Sequence, residues 1–123
     1  MSGDAIGLHS PVATDANAGG VVAIDTKQAT SLGLDINVSA FVGGTAPTIT
    51  FFLDRIDAYG QAYQVWTSGA LAATGKISAN ISPNTPTAAQ NAELGPTCQL
   101  RWAFGGTANP TSVTWSATAY AQR

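Results

Sequence analysis

The chain has 123 residues, and charged side chains make up only 10% of them, against about 25% in ordinary globular proteins. Its formal net charge is −2, and it contains one cysteine. This length corresponds to one domain with a core of its own. The scarcity of Lys and Arg disfavours direct binding to nucleic acid, because counterion release at a phosphate backbone requires a basic surface. A single cysteine excludes an internal disulfide framework.

The sequence gives no sign of a membrane partner. No segment reaches the ~18 consecutive apolar residues needed to span a bilayer. The first residues, MSGDAIGLHSP, lack the basic start and continuous apolar stretch of a signal peptide, so the chain is predicted to be made inside a cell and kept there, at least at first. Because the chain has so few charges, a free monomer would be poorly protected against self-association. Two interpretations of the surface therefore stay open: an uncharged surface rich in Thr and Ser, or a surface covered by partners.

Residues 1–20 are predicted to form an extended arm, and residues 21–123 a single β-sandwich domain. The arm is rich in glycine and has few apolar anchors. Ile6 and Leu8 alternate as strand residues do, so we expect them to contact a neighbouring subunit; a disordered tail is the alternative. His9, the only histidine, lies in this arm. Such a position does not suit a hydrolytic triad, in which the histidine is held between a nucleophile and an acid.

Seven segments of the remaining chain carry strand patterns. They are residues 21–25, 33–42, 48–58, 62–67, 76–81, 97–104 and 111–121. The second places every other residue from Leu34 to Val42 on one apolar face, with Phe41 as the odd apolar residue on the polar face. The third loses phase after Leu53, and a β-bulge between Leu53 and Ile56 would account for the slip. Residues 87–94 could make two turns of helix.

Two stretches of the chain nearly repeat each other. FVGGTAPTITFFL (Phe41–Leu53) and FGGTANPTSVTWS (Phe104–Ser116) each run apolar residues into Gly-Gly-Thr-Ala, turn at a proline and continue into a Thr-rich strand. Glycine permits positive φ and proline fixes φ, so each unit is interpreted as a hairpin of strand, tight turn and strand. We expect the two units to occupy similar positions, facing each other across the core.

These patterns predict an all-β fold. The short strands, the absence of a long helical pattern and the bias toward β-branched and aromatic residues indicate an antiparallel β-sandwich, jelly-roll or immunoglobulin-like, of about seven or eight strands. Most of the aromatic residues fall on inward phases, which favours core packing over a sugar-stacking platform; these include Phe51, Trp66, Trp102, Phe104 and Trp115. Better candidates for a contact with another subunit or a shell are Phe41, Tyr59, Tyr63 and Tyr120.

No catalytic or metal-binding constellation can be assembled from the sequence. Asp54 and Asp57 could form an acid–base pair or hold a hard cation. Residues three apart on a strand face opposite sides, however, so a solvated strand end with Arg55 as the local partner is favoured. His9 and Cys98 alone do not make a zinc site. The Gly-Gly-Thr-Ala turns lead into strands, whereas phosphate-binding loops lead into helices. We predict no enzymatic activity, no cofactor and no metal.

The blocks GGTAPTITFFLDRID and LRWAFGGTANPTSVTWSATAYA resemble segments of small β-sandwich structural proteins encoded among tailed-phage head and tail genes. The resemblance runs through Phe41–Asp57 and Leu100–Ala121. It implies a virion component without enzymatic activity, assembled in the host cytoplasm. Among virion components, the resemblance points first to a head decoration or cement protein, bound as a homotrimer to the major capsid protein. The alternatives are a head–tail joining or tail-associated subunit and, from the aromatic content, a carbohydrate-binding module that recognises a surface glycan.

Overall fold

The computed structural model describes residues 3–9, 14–15, 19–27, 29–82 and 94–122. These residues form strands and connections, with no helix among them. The strands are β1 (Gly3–His9), β2 (Thr14–Asp15), β3 (Gly19–Asp25), β4 (Ser31–Val42), β5 (Thr48–Ile56), β6 (Ala62–Leu71), β7 (Gly75–Ile81), β8 (Thr97–Gly105) and β9 (Ser112–Gln122). In this described part, no helix has the length and hydropathy needed to cross a bilayer. The predicted helical turns over residues 87–94 lie outside it, apart from Leu94.

The strands build two antiparallel sheets. Sheet A has the order β1-β9-β4-β7, with β2 also paired to β9, and sheet B has the order β3-β8-β5-β6. β1 and β2 follow one another along the same edge of β9 and count as one position. The pairs are then nested along the chain: β1 and β2 pair with β9, β3 with β8, β4 with β7, and β5 with β6. This nested pairing is that of a jelly roll. The predicted β-sandwich is confirmed.

The core lies between the sheets and is formed by alternate residues of each strand. On β9 the buried residues are Val113, Trp115, Ala117, Ala119 and Ala121, as the alternation predicts. Trp115 packs edge-to-face on two rings of sheet B, with centroid distances of 4.9 Å to Phe51 and 5.0 Å to Trp102. Gly20 lets β3 approach Trp102 closely, because a Cβ there would lie 2.5 Å from the indole Cζ2. The core thus combines small alanines on β9 with large rings, all of them buried between the sheets.

The two Gly-Gly-Thr-Ala blocks are not hairpins. Each joins strands of different sheets: one connects β4 to β5, the other β8 to β9, while β4 pairs with β9 and β5 with β8. These connections, residues 43–47 and 106–111, are termed the arches. They lie side by side, and Thr45 and Ala108 exchange backbone hydrogen bonds of 3.2 and 3.1 Å. The prediction of hairpins is wrong because glycine and proline serve either kind of turn. The expectation that the two units face each other across the core is also wrong, since their strands are direct neighbours in both sheets; only their similar placement is as expected.

A bulge in β4 reverses the exposure of the residues that follow it. The register of β4 on β9 shifts at Ser39, and one extra residue moves every later side chain to the other face. Phe41 therefore lies opposite the buried Val113 and packs partly against the core. Val42 instead points outward and is 54% exposed. The predicted position of Phe41 on the polar face, on which its proposed subunit contact depended, is wrong.

The bulge predicted between Leu53 and Ile56 is also wrong. β5 keeps a continuous register with β8 from Thr48 to Arg55. The irregularities lie instead on β6, whose pairing with β5 shifts twice. Alternation along β5 therefore continues, with Phe52 and Asp54 both on the outer face of sheet B.

The described part of the predicted arm belongs to the sheets. β1 and β2 pair with β9 of the same chain, and Gly19 and Gly20 begin β3. The interpretation of residues 1–20 as an arm outside the domain is wrong for these residues, because β1 satisfies the backbone groups along the second edge of β9. The backbones of Ile6 and Leu8 lie in β1, and the contacts of their side chains fall outside what the structure describes.

Candidate functional site

The densest charge cluster lies on the outer face of sheet B and is paired within the protein. Asp54 is only 2% exposed. It accepts two hydrogen bonds from Arg101, from Nε to Oδ2 at 2.8 Å and from Nη2 to Oδ1 at 3.2 Å, and one from Gln99 Nε2 to Oδ2 at 2.8 Å. The Arg101 guanidinium also lies 4.0 Å from the centroid of the Phe52 ring. A two-pronged ion pair stacked on a ring fixes β5 to β8.

The electrostatics of this cluster keep Asp54 ionised. Burial alone would raise the pKa of Asp54, but the hydrogen bonds from Arg101 and Gln99 and the Arg101 charge together lower that pKa below its usual range. The same ion pair raises the pKa of Arg101. The expected partner, Arg55, and the expected solvated strand end are both wrong for Asp54. The cause is register, since β5 on β8 sets Asp54 opposite Gln99 and Phe52 opposite Arg101.

Asp57 closes the turn between β5 and β6. Its Oδ1 accepts hydrogen bonds from the backbone N–H groups of Tyr59 at 2.8 Å and Gln61 at 2.9 Å. These bonds, that of Gln61 foremost, lower the pKa of Asp57. Tyr59 is 91% exposed, and Tyr63, whose hydroxyl donates to Gln61 Oε1 at 3.1 Å, is also exposed. Two of the predicted contact residues thus have solvent-exposed rings at or beside one turn.

Cys98 is a packing residue. Its thiol donates to the Leu94 carbonyl oxygen at 3.1 Å and lies 3.6 Å from the Thr26 hydroxyl oxygen. Burial raises the pKa of the thiol, and the Thr26 contact opposes this only in part. A buried thiol with a raised pKa is a poor nucleophile. Among the described residues, no group of three His, Cys, Asp or Glu side chains is placed to hold a metal ion.

Strand β3 presents a regular and largely apolar edge. It pairs with β8 over its whole length without a register shift, and its sequence, GGVVAID, carries a charge only at Asp25. Val21, on the outer face, is 56% exposed. The other described edges are interrupted or charged: β6 pairs with two register shifts, β1 has one, and β7 carries Lys76. Bulges and lysines are among the devices that prevent edge-to-edge pairing, and β3 has neither.

The outer face of sheet A carries a shallow depression of about 420 Å³. Seven polar or aromatic side chains from β4, β7 and β9 line it: Asp35, Asn37, Lys76, Ser78, Ser116, Thr118 and Tyr120. The Ser78 hydroxyl donates to Asp35 Oδ1 at 2.7 Å. Tyr120, a predicted contact residue, is partly exposed beside Gly33, where an added Cβ would meet its Cδ2 at 3.8 Å. Sequence reasoning missed the depression because its residues alternate on three strands that only the sheet order brings together.

Comparison with known proteins gives a likeness at the level of architecture. Neither a family model nor a curated protein matches the sequence. Similar solved structures include a CBM4 carbohydrate-binding module (10% identity, 83% of this chain and 56% of that chain, TM-score 0.45) and dimeric latent PorU from Porphyromonas gingivalis (12%, 98% and 13%, 0.48). A third is the T13 viral particle of infectious bursal disease virus (14%, 100% and 29%, 0.45). The chain spans about half of the first and less of the others, and similarity this low carries no functional argument.

Proposed function

We propose that this protein is a non-enzymatic structural subunit of a phage virion, and specifically a head decoration or cement protein. It binds the outer surface of the shell formed by the major capsid protein and stabilises it. The observation that carries this proposal is the edge of β3, which is regular and largely apolar and, within the described residues, has neither a bulge nor a lysine. The resemblance of the two Gly-Gly-Thr-Ala blocks to phage head and tail proteins supports a phage virion as the assembly to which the protein belongs.

Strand addition gives this edge a means of assembly. A partner strand laid along β3 would form main-chain hydrogen bonds and cover Val21, which is 56% exposed. The partner is a second copy of the chain, in a homotrimer, or a strand of the shell. Each contact can be weak, because many copies on one lattice bind with avidity. The engagement of Asp54 and Asp57 in bonds within the protein supports a role without catalysis.

The proposal is tested by substituting the β3 edge and a matched control. Val21→Lys places a charge on the edge, whereas Val42→Lys places it on an equally exposed valine (54% against 56%) at the end of β4. Light scattering over a dilution series gives the mass in solution, and co-sedimentation gives binding to undecorated shells. We expect a trimer that Val21→Lys weakens and Val42→Lys does not. A wild-type chain that stays monomeric, together with a Val21→Lys variant that binds shells as well as the wild type does, would refute the proposal.

Head decoration and head–tail joining differ in copy number. Quantitative mass spectrometry of purified particles compares this chain with the major capsid protein. A copy number of the same order as that of the major capsid protein supports decoration. A copy number sufficient only for one ring per particle supports the joining or tail-associated role.

A further inference from the structure

We propose that the depression on the outer face of sheet A binds a neutral oligosaccharide, with the Tyr120 ring as its stacking surface. This inference is independent of the proposed assembly through β3, which lies at the edge of the other sheet. It rests on how the strand register arranges side chains, on the balance of charge among them and on the exposure of Tyr120.

The register of β9, β4 and β7 arranges the outward side chains in three rows. Across the sheet the rows are Ser116, Asn37 and Lys76; Thr118, Asp35 and Ser78; and Tyr120, Gly33 and Asn80. Neighbouring strands lie about 4.8 Å apart, and alternate residues of one strand about 6.6 Å apart. The rows therefore cover a patch about 10 Å by 13 Å, which accommodates two linked pyranose rings.

The chemistry of these rows suits a ligand that both donates and accepts hydrogen bonds. Asp35 offers acceptors, Lys76 offers donors, and the Asn37 amide offers both, as do the hydroxyls beside them. Neighbouring hydroxyls of a sugar ring also donate and accept at once. In the described part of the chain, the side chains of Asn37, Ser116 and Thr118 make no hydrogen bond to another residue. They are therefore available to a ligand.

Charge selects a neutral ligand over an anionic one. Among the described residues that line the depression, Lys76 is the only cation, and the Asp35 carboxylate offsets it. A phosphate or a sugar acid would require more positive charge than this patch supplies. A protein partner fits less well, because interface cores are depleted in Ser, Asp and Lys, the residue types that form these rows.

The cross-strand neighbour of Tyr120 is a glycine. Gly33 lies directly opposite Tyr120 in the β4–β9 register, and because it has no side chain, Tyr120 lies directly against it. The C–H face of a sugar can pack on the apolar face of a tyrosine while the phenol contributes a polar tip. A valine at Gly33 would add methyl groups against Tyr120 and so change the position of the ring without removing it. An added Cβ meets Tyr120 only at ordinary contact distances of 3.6 and 3.8 Å.

The test is a titration of the full-length, ¹⁵N-labelled chain followed by backbone amide shifts in NMR. The probes are four neutral tetrasaccharides of different linkage, from the cellulose, laminarin, amylose and mannan series, with tetragalacturonic acid as the anionic comparison. We expect at least one neutral probe to shift the outer-face amides of β4, β7 and β9. We expect Tyr120→Ala and Gly33→Val each to weaken binding about tenfold or more. Tyr63→Ala, an exposed tyrosine on the other sheet, should bind as the wild type does.

Several outcomes would overturn the proposal. They are the absence of shifts with all four neutral probes, shifts that map to other strands, tighter binding of the acidic probe, or wild-type affinity in both folded variants. Because Gly33→Val keeps the ring and Tyr120→Ala keeps the glycine, the two variants test the same site by separate routes. A folding defect in one variant leaves the other to decide.

Discussion

Replacing Gly44 with alanine tests whether contact between the two arches stabilises the sandwich. Gly44 has a φ of +81°, and an added Cβ would lie 2.8 Å from the carbonyl oxygens of Ala108 and Asn109 and 2.9 Å from the Pro110 nitrogen. All three atoms belong to the backbone of the opposite arch. They cannot rotate away as the end of a flexible side chain could, so relief of the collision requires the arches to separate.

A second glycine isolates the cost of this collision. Gly60 has a φ of +82°, but no atom lies within 4 Å of its added Cβ. Gly60→Ala therefore carries the backbone strain alone, about 1–2 kcal/mol for an L-residue in the left-handed region. Gly44→Ala carries the same strain and an overpacking cost of about 1–3 kcal/mol. We expect Gly44→Ala to lower the free energy of unfolding by roughly 2–5 kcal/mol in total.

Urea unfolding followed by far-UV circular dichroism measures both variants, and equal slopes against urea confirm that the same surface is exposed. In a thermal scan of a domain this size, each kcal/mol corresponds to roughly 3–5 °C in Tm. If the two variants differ by less than about 0.5 kcal/mol, within the range of an ordinary surface substitution, the arches do not approach as described and the reasoning fails.

Two further predictions concern the core and the ion pair. Trp115→Ala should destabilise by about 3–5 kcal/mol in urea unfolding, while the exposed Tyr59→Ala stays within about 0.5 kcal/mol; a loss under about 1 kcal/mol for Trp115→Ala would contradict its central position. Because the folded pKa of Asp54 lies below its unfolded value, its ionisation stabilises the protein above the unfolded pKa of about 3.9, and this is lost as pH falls through the folded pKa. Asp54→Asn should therefore flatten the acid side of a stability–pH curve, and parallel curves for variant and wild type would count against the ion pair.

The sequence was most informative where structure depends on neighbours along the chain. Alternation is a local property of a strand, so the buried faces of β8 and β9 could be predicted residue by residue, down to Trp102 and Trp115. The likeness of the two Gly-Gly-Thr-Ala blocks also indicated their similar placement. Their conformation could not be predicted in the same way, because a turn within one sheet and an arch between two sheets use the same residues.

What the sequence could not show depends on register between distant segments. The extra residue at Ser39 can be recognised only from the pairing of β4 with β9. The sequence near Phe41 therefore does not indicate that its ring turns inward. The partner of Asp54 lies 47 positions away at Arg101, whereas the sequence alone favours the adjacent Arg55. The depression beside Tyr120 has the same origin, since single polar positions on three strands resemble ordinary solvent-facing residues until the sheet order joins them.

The two proposed surfaces can be separated by experiment because they lie on different sheets. Val21 lies at the edge of sheet B, and Tyr120 lies on the outer face of sheet A. Substitutions at distant sites that share no partner act independently. Val21→Lys should then lower the mass in solution without changing sugar binding, and Tyr120→Ala should do the reverse. If Tyr120→Ala also lowers the mass, the outer face of sheet A is itself part of the subunit interface, and its polar rows serve assembly rather than a glycan.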